Sequence, residues 1–278
     1  MKRLTRMQIP YRVWMFLFIV IPTLILFVLA LTNMNLYQIG AFDLTLDHFA
    51  IFSKNEIGIA FWNSFFYSSI TTLICFLIGY PVAYYLSTLP NKTRKILVSL
   101  MIVPLWSNML LRIVAWEKVF TADSYFTDLT GISLNLIGTQ TAVIIGLVAM
   151  YLPFMIFPIF SVLEKMDRSL HEASKDLGAT DFQTFVRVTF PLSSSGVISG
   201  VIMTMLPAMT SFVLPARLGL GTISLIGNVI ESKFMKEVLG SSGMSINEGA
   251  VLSLFIMVLS VAAFMMITRV DKEGETLI

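Results

Sequence analysis

Long apolar stretches constrain this sequence more than any other feature. A helix that crosses a bilayer needs about 20 mostly apolar residues. Six stretches meet that length: residues 13–32, 61–82, 96–116, 141–162, 197–215 and 249–268. Charged residues make up only 13% of the chain, against about 25% in soluble domains. We therefore predict an all-α membrane protein with six transmembrane helices, the first of which is retained because it is longer than a signal core.

The distribution of Lys and Arg predicts the orientation. Cytoplasmic loops carry an excess of these residues. With both termini in the cytoplasm, that side holds 13 of the 19 Lys and Arg residues and the outer side holds 6. This topology also places residues 163–194, the most polar internal segment, in the cytoplasm. The net charge of +2 gives no indication of a nucleic-acid partner.

Residues 163–194 have the pattern of an amphipathic helical hairpin. Two capping-box patterns, S-L-H-E at 169–172 and T-D-F-Q at 180–183, predict two helix starts. Gly178 falls between them, where a helix end needs a residue that tolerates positive φ, and Pro191 is predicted to stop the second helix. Charges at Glu164, Arg168 and Glu172 are spaced for pairing along one face. The apolar face could pack under its own bundle or dock in the groove of a partner.

The order of residues in this hairpin resembles a known motif. Glu172, Ala173 and Ser174 come first, three residues lead to Gly178 and Ala179, and Pro191 closes the segment. This spacing resembles the EAA loop of ABC-importer permeases at every position, with Ser174 in place of the family's alanine. The resemblance implies a type I, MetI-like permease fold over residues 1–278 as one domain, with residues 163–194 as the cytoplasmic coupling loop. It also implies that Glu172, Ala173, Ser174, Gly178, Ala179 and Pro191 engage a separate ATPase.

Further stretches resemble the spermidine/putrescine branch of that family: residues 102–116, 142–167, 205–220 and 225–234. This resemblance implies polyamine transport across a bacterial inner membrane. The implied partners are two ATP-binding subunits, a second homologous permease, an extracytoplasmic polyamine-binding protein and membrane lipid. The chain has no G-x-x-x-x-G-K-[ST] phosphate loop. We therefore expect ATP and Mg to be bound by the ATPase and no cofactor to be bound by this chain.

A path for an organic cation needs aromatic faces, carbonyls or carboxylates. The span centres contain no Asp or Glu, so we predict path residues among the aromatic and polar side chains of the third and fourth spans and at the outer mouth of the third, where Glu117 lies. They are Trp106, Asn108, Trp116, Glu117 and Tyr151. Trp116 could instead belong to an interfacial aromatic belt.

Two local patterns bear on how the helices pack and bend. Pro104 and Pro207 interrupt spans and can bend them. Gly196 and Gly200 form a G-x-x-x-G pattern that suits close helix contact.

Other functions stay open at this point. An importer permease for another solute would share most of these patterns, and the two permeases could be identical or different chains. An ATP-independent carrier is disfavoured because intramembrane ionisable residues are lacking. A membrane enzyme is disfavoured because H-E-x-x-H and G-x-S-x-G patterns are absent. The single cysteine, Cys75, and two widely separated histidines predict no metal site.

Overall fold

Helices are the only regular elements in the described part of the chain, apart from a single bridge between Thr32 and Leu44. The computed structural model describes residues 9–33, 43–122, 125–238 and 245–270. In chain order the helices are α1 (residues 9–31), a 3₁₀ turn (Asp47–Ser53), α2 (Asn55–Thr88), α3 (Asn91–Trp106), α4 (Met109–Phe120), α5 (Tyr125–Thr130), α6 (Gln140–Lys165), α7 (Arg168–Asp176), α8 (Asp181–Leu192), α9 (Ser194–Thr210), α10 (Val213–Leu218), α11 (Ile226–Val238) and α12 (Ser245–Val270).

The predicted spans fall on straight helices and on bent pairs. Pro10–Leu31, α2, α6 and Ile246–Met265 are each long and apolar enough to cross a membrane. The α3–α4 pair is bent by 92° and the α8–α9 pair by 63°, and each pair passes the same test as a unit. Counting each bent pair as one span gives six within the described residues. The all-α membrane fold is confirmed, and the polar tail 271–278 lies outside the described residues.

The third apolar stretch is not the single helix that the sequence predicted over 96–116. Helix α3 ends at Trp106, Ser107 is extended, and Asn108 begins α4 by accepting a hydrogen bond from the Leu110 N–H at 2.8 Å. An asparagine at this position offers the backbone a helix start that competes with continuation. Pro104 lies in the last turn of α3. The prediction failed because a rule based on apolar length does not detect a residue, here Asn108, that caps a new helix inside an apolar run.

The fifth stretch also differs from its predicted bounds of 197–215. Helix α9 covers Ser194–Thr210, and the chain breaks at Ser211 before the short helix α10. The Asn228 side-chain amide donates to the Phe212 carbonyl at 2.7 Å and so satisfies a backbone acceptor at this break. The break is thus stabilised by a residue distant in sequence.

The described residues divide into two units. The first takes in residues 1–60 and 229–260, and the second takes in residues 61–228 and 261–278. In the first unit, the buried Asn247 amide donates to the Leu29 carbonyl at 2.9 Å, and His48 Nε2 donates to the Thr32 carbonyl at 3.1 Å. Glu248 accepts ion pairs from Lys54 and Lys233, each at 2.6 Å. His48 therefore has a structural partner, and the described residues contain no group of three or more His, Cys, Asp or Glu suited to a metal.

In the second unit, α9 packs closely against α6 through the predicted glycine pair. A Cβ at Gly196 would lie 2.8 Å from the Pro158 carbonyl oxygen, and one at Gly200 would lie 3.0 Å from the Met155 carbonyl oxygen. Only glycine allows the two backbones to approach this closely. The G-x-x-x-G prediction is confirmed. Helix α6 is half buried over its most apolar window and supplies much of the core.

Candidate functional site

The hairpin, defined as residues 168–192, consists of α7, a tight turn and α8. Helix α7 begins with Asp167, whose carboxylate accepts the Ser169 N–H at 2.9 Å. This hydrogen bond holds the pKa of Asp167 below its ordinary value. The predicted capping box at 169–172 is therefore wrong: Ser169 lies inside the helix, and the cap is the aspartate two residues earlier.

The turn between the two helices depends on Gly178. Its φ is +83°, in the left-handed region that favours glycine. The Ala179 N–H bonds to the Ser174 carbonyl at 3.1 Å, and the Gly178 N–H bonds to the Lys175 carbonyl at 2.8 Å. These two bonds form a Schellman motif. A Cβ at Gly178 would meet no atom within 4 Å, so the glycine is required by backbone conformation and not by a clash with neighbouring elements.

Helix α8 begins as the sequence predicted. The Thr180 side chain accepts the Gln183 N–H at 3.3 Å, and the Gln183 side chain accepts the Thr180 N–H at 3.0 Å. This reciprocal pair is the capping box. It fixes the direction in which α8 leaves the turn.

Two side-chain contacts join α7 to α8. Lys175 and Asp181 form an ion pair of 2.7 Å, and the hydroxyls of Ser174 and Thr184 lie 3.0 Å apart. The hydrogen bond and charge of Asp181 raise the pKa of Lys175, and Lys175 lowers the pKa of Asp181 in return. A depressed aspartate pKa stabilises the pair above the ordinary aspartate range, and that contribution is lost as the pH falls through the lowered value. Both groups are on the surface, so the effect is small.

Pro191 lies inside α8 and does not stop it. The helix ends one residue later, and the chain bends at Ser193. A π-helical turn at Phe185–Thr189, marked by the Phe190 N–H bond to the Phe185 carbonyl, ends two residues before the proline. Wide turns of this kind are one cause of helix bends. The family-like proline is thus part of a bent connection between α8 and α9.

The tip of the hairpin, at the turn between α7 and α8, is apolar and exposed. Leu177 is 90% exposed and Phe182 is 75% exposed, on either side of Gly178. Glu172 and Ala173 are exposed one to two turns earlier in α7. Glu172 lines a cavity of about 310 Å³, together with His171 and residues at the ends of α2 and α6. A paired apolar tip beside an exposed carboxylate is suited to a protein groove.

Glu164, the first member of the predicted charge series, has a partner on another helix, and the Arg168 side chain lies outside the described residues. Glu164 pairs with Arg94 on α3 at 3.1 Å. Two contacts at the ends of the hairpin involve residues that were not among the predicted site residues. Arg94 contacts Glu164 before the hairpin, and Tyr80 contacts Ser193 after it. Arg94 was counted only for orientation, and no local pattern indicates a partner so distant in sequence.

The predicted path residues occupy different environments. Trp106 is 88% exposed at the end of α3, and Asn108 caps α4. Trp116 stacks on Phe120 with ring centroids 5.2 Å apart.

Two further path residues lie near the core of the second unit. Glu117 lies 3.9 Å from Arg217, and the Tyr151 hydroxyl donates to the Pro207 carbonyl at 3.2 Å. Tyr151 and Trp116 pack against the same core, to which Trp106 does not belong.

The family follows from comparison with known proteins. A model of the family described as binding-protein-dependent transport system inner membrane component matches residues 1–272. The chain belongs to this family. It is a multi-pass inner-membrane protein and a transport component rather than an enzyme.

Relatives within the family cover most of the chain. One is the spermidine/putrescine transport system permease protein PotB of Haemophilus influenzae, 38% identical over 229 residues, with 80% of each chain covered. The protein of the same name from Escherichia coli is 35% identical over 228 residues and covers 80% of this chain and 83% of its own length.

Solved structures of distant sequence share the fold. A bacterial ABC transporter involved in the import of the acidic polysaccharide alginate matches with a TM-score of 0.71 at 15% identity and 96% coverage of both chains. The MetNI methionine ABC transporter in inward-facing form matches with a TM-score of 0.53 at 19% identity, over 76% of this chain and 94% of its own. The predicted MetI-like permease fold is confirmed.

Proposed function

We propose that this chain is the permease subunit of an ATP-driven importer that moves polyamines, spermidine or putrescine, across the inner membrane. The observation that supports a polyamine as the solute is the 35–38% identity, over four fifths of the chain, to relatives named as spermidine/putrescine permeases. The hairpin supports the ATP-driven mechanism, because it offers an exposed apolar tip for a partner. In this proposal the chain forms the membrane path, and its hairpin transmits the movement of the ATPase to that path.

The proposed complex contains two ATP-binding subunits, a second homologous permease and an external polyamine-binding protein. A solved alginate transporter of the same fold is described in complex with a pentasaccharide-bound periplasmic protein, which supports a binding-protein partner here. ATP and Mg belong to the ATPase in this proposal, and the permease binds no cofactor. The Lys and Arg distribution supports an orientation with both termini and the hairpin in the cytoplasm.

A reconstituted complex tests the solute. The permease pair, the ATPase and the binding protein are placed in liposomes, and ATP hydrolysis and uptake are measured with spermidine, putrescine or an unrelated anion. Polyamine-stimulated hydrolysis with matching uptake supports the proposal. Stimulation by another solute alone would support an ATP-driven importer whose solute is not a polyamine. Uptake that continues without the ATPase would favour an ATP-independent carrier.

Replacing the exposed apolar tip tests the docking of the ATPase. We expect Leu177→Asp and Phe182→Asp each to lower ATPase association by an order of magnitude or more, because central apolar anchors contribute about 2 kcal/mol or more to an interface. Both side chains are exposed in the isolated permease, so its folding should be unchanged. Co-purification of the ATPase measures the effect.

Leu129→Asp is the matched control, since Leu129 is 87% exposed on α5, outside the hairpin. It should leave ATPase association at the parent level. Full association of both tip variants would contradict docking through the tip.

Trp106 is the path candidate whose truncation disturbs packing least, because the side chain is almost fully exposed. A cation passing its face would gain about 0.5–2 kcal/mol. We therefore expect Trp106→Ala to lower polyamine-stimulated turnover severalfold while complex assembly is retained. Trp62→Ala, at another exposed tryptophan on α2, is the control. Unchanged turnover in Trp106→Ala would remove this residue from the path.

A further inference from the structure

Both ends of the hairpin are attached to helices that precede it in the chain. At its entrance, Glu164 in the last turn of α6 pairs with Arg94 on α3. At its exit, the bend residue Ser193 contacts Tyr80 on α2. The hairpin is thus connected to α2 and α3 as well as to the helices α6 and α9 that flank it in sequence.

The Arg94–Glu164 pair is placed against helix electrostatics. Arg94 is the fourth residue of α3, and Glu164 is the next-to-last residue of α6. A cation near a helix N-terminus and an anion near a C-terminus both oppose the macrodipole. The Arg94 side chain is only 15% exposed, and its Nε is buried with no hydrogen-bond partner among the described residues. Arg94 also donates a hydrogen bond to the Asn91 side chain within α3. Its ion pair with Glu164 is the contact that connects α3 to α6.

The Tyr80–Ser193 contact has a defined direction. The Ser193 hydroxyl donates to the Phe190 carbonyl at 3.0 Å. The 2.7 Å contact between the two hydroxyls must then be donated by Tyr80, because Ser193 has a single donor. Both side chains are buried. The Tyr80 hydroxyl on α2 therefore donates to Ser193, at which the chain bends by 63° between α8 and α9.

Aromatic packing strengthens this second connection. The Phe185 ring, in the π-helical turn of α8, lies 5.6 Å from Tyr80 and 5.8 Å from Tyr84, centroid to centroid. Both pairs are nearly perpendicular, at 90° and 85°, which is a favourable edge-to-face arrangement. The second helix of the hairpin is therefore packed on the end of α2.

We propose that Arg94 and Tyr80 are positioning residues that make α2 and α3 move with the hairpin as one body. The inference rests on the proposed function, since the partner ATPase supplies the movement. Without the two connections, a displaced hairpin would act only on α6 and α9, which adjoin it in the chain. Hydrolysis would then proceed with little opening of the path.

Charge reversal tests the entrance connection. In the reconstituted complex, Arg94→Glu and Glu164→Arg are each expected to lower solute moved per ATP hydrolysed about tenfold, a typical size for coupling between sites. The double exchange keeps the pair and aligns both charges with the macrodipoles, so it should restore the ratio. Lys95→Glu, at the exposed neighbour of Arg94, is the control and should match the parent.

A measurement without solute separates this inference from the solute proposal. Cys75 is buried and can be replaced by alanine, and nitroxide labels are then placed at the exposed positions Ser99 on α3 and Asp176 on α7. Electron–electron resonance distances are recorded with and without ATP in the assembled complex. We expect one narrow distance in both states for the parent and the double exchange, and a broadened, ATP-dependent distribution for Arg94→Glu.

Tyr80→Phe removes only the hydroxyl and tests the exit connection by the same coupling ratio, which should fall. Parent-like ratios and distances in the single variants would overturn the proposal, as would a double exchange that folds normally but restores neither. If the distances behave as expected but polyamines do not stimulate the complex, the proposed role of the two connections stands and the polyamine is refuted as the solute.

Discussion

Gly178→Val is expected to abolish ATP-driven uptake while the apolar helices still insert into the membrane. The φ of +83° is a genuine outlier for a β-branched residue, and the left-handed region costs any L-residue about 1–2 kcal/mol. Valine would shift the turn out of that region and break the two Schellman bonds. Leu177 and Phe182, on either side of the turn, would then no longer present one apolar tip.

A graded series makes this prediction specific. Asparagine tolerates the left-handed region better than alanine, and alanine better than valine. We expect uptake to fall in the order Gly178, Asn, Ala, Val. Because a side chain at this position would meet no atom within 4 Å, the series reports backbone conformation rather than crowding. Uptake per membrane-inserted permease and co-purified ATPase are the two measurements.

Gly221 provides the matched control. Its φ is +82°, and a Cβ there would also meet nothing within 4 Å. Gly221→Val therefore introduces the same backbone strain outside the hairpin and should retain ATPase association. Glu172→Lys reverses an exposed charge without altering the turn and should reduce coupling with the fold intact. Parent-level uptake by Gly178→Val and Glu172→Lys would refute the coupling role of the hairpin.

Several features set by short-range chemistry could be predicted from the sequence, although the start of α7 could not. The positive φ of Gly178 and the Thr180–Gln183 capping box each depend on residues within a few positions of one another. The close approach of α9 to α6 could be predicted from the G-x-x-x-G spacing of Gly196 and Gly200. Apolar length was sufficient to predict an all-α membrane protein with six spans, whereas the MetI-like fold was implied by the resemblance.

Helix breaks and long-range pairs could not be predicted in the same way. Asn108 starts a new helix inside an apolar run, and an apolar-length rule cannot distinguish this from an uninterrupted span. The Arg94–Glu164 and Tyr80–Ser193 contacts depend on how α2, α3, α6 and the hairpin pack. No periodicity within one segment contains that information. The connections that we propose for coupling therefore became visible only in the structure.

Gly196→Ala is expected to destabilise the permease by about 1–3 kcal/mol, the usual range for overpacking. The added Cβ would lie 2.8 Å from the Pro158 carbonyl oxygen and 3.1 Å from the Ile159 Cα, which are backbone atoms of α6 and cannot move separately. At Gly200 the closest atom is the flexible Met155 Sδ at 2.9 Å, and the nearest backbone atom, the Met155 carbonyl oxygen, lies at 3.0 Å, farther than the 2.8 Å at Gly196. Gly200→Ala should therefore be the milder variant, and Gly196→Leu should prevent the two helices from packing.

Thermal unfolding of the purified permease measures this order, and the Tm should be lower for Gly196→Ala than for Gly200→Ala. Gly58→Ala is the control, because a Cβ there would meet nothing within 4 Å and alanine favours a helix. Equal Tm values for Gly196→Ala and Gly58→Ala would contradict the packing argument. Gly196 is the third residue of α9 and follows the bend at Ser193. Displacement of α9 there would also shift the exit of the hairpin, so coupling should fall together with stability.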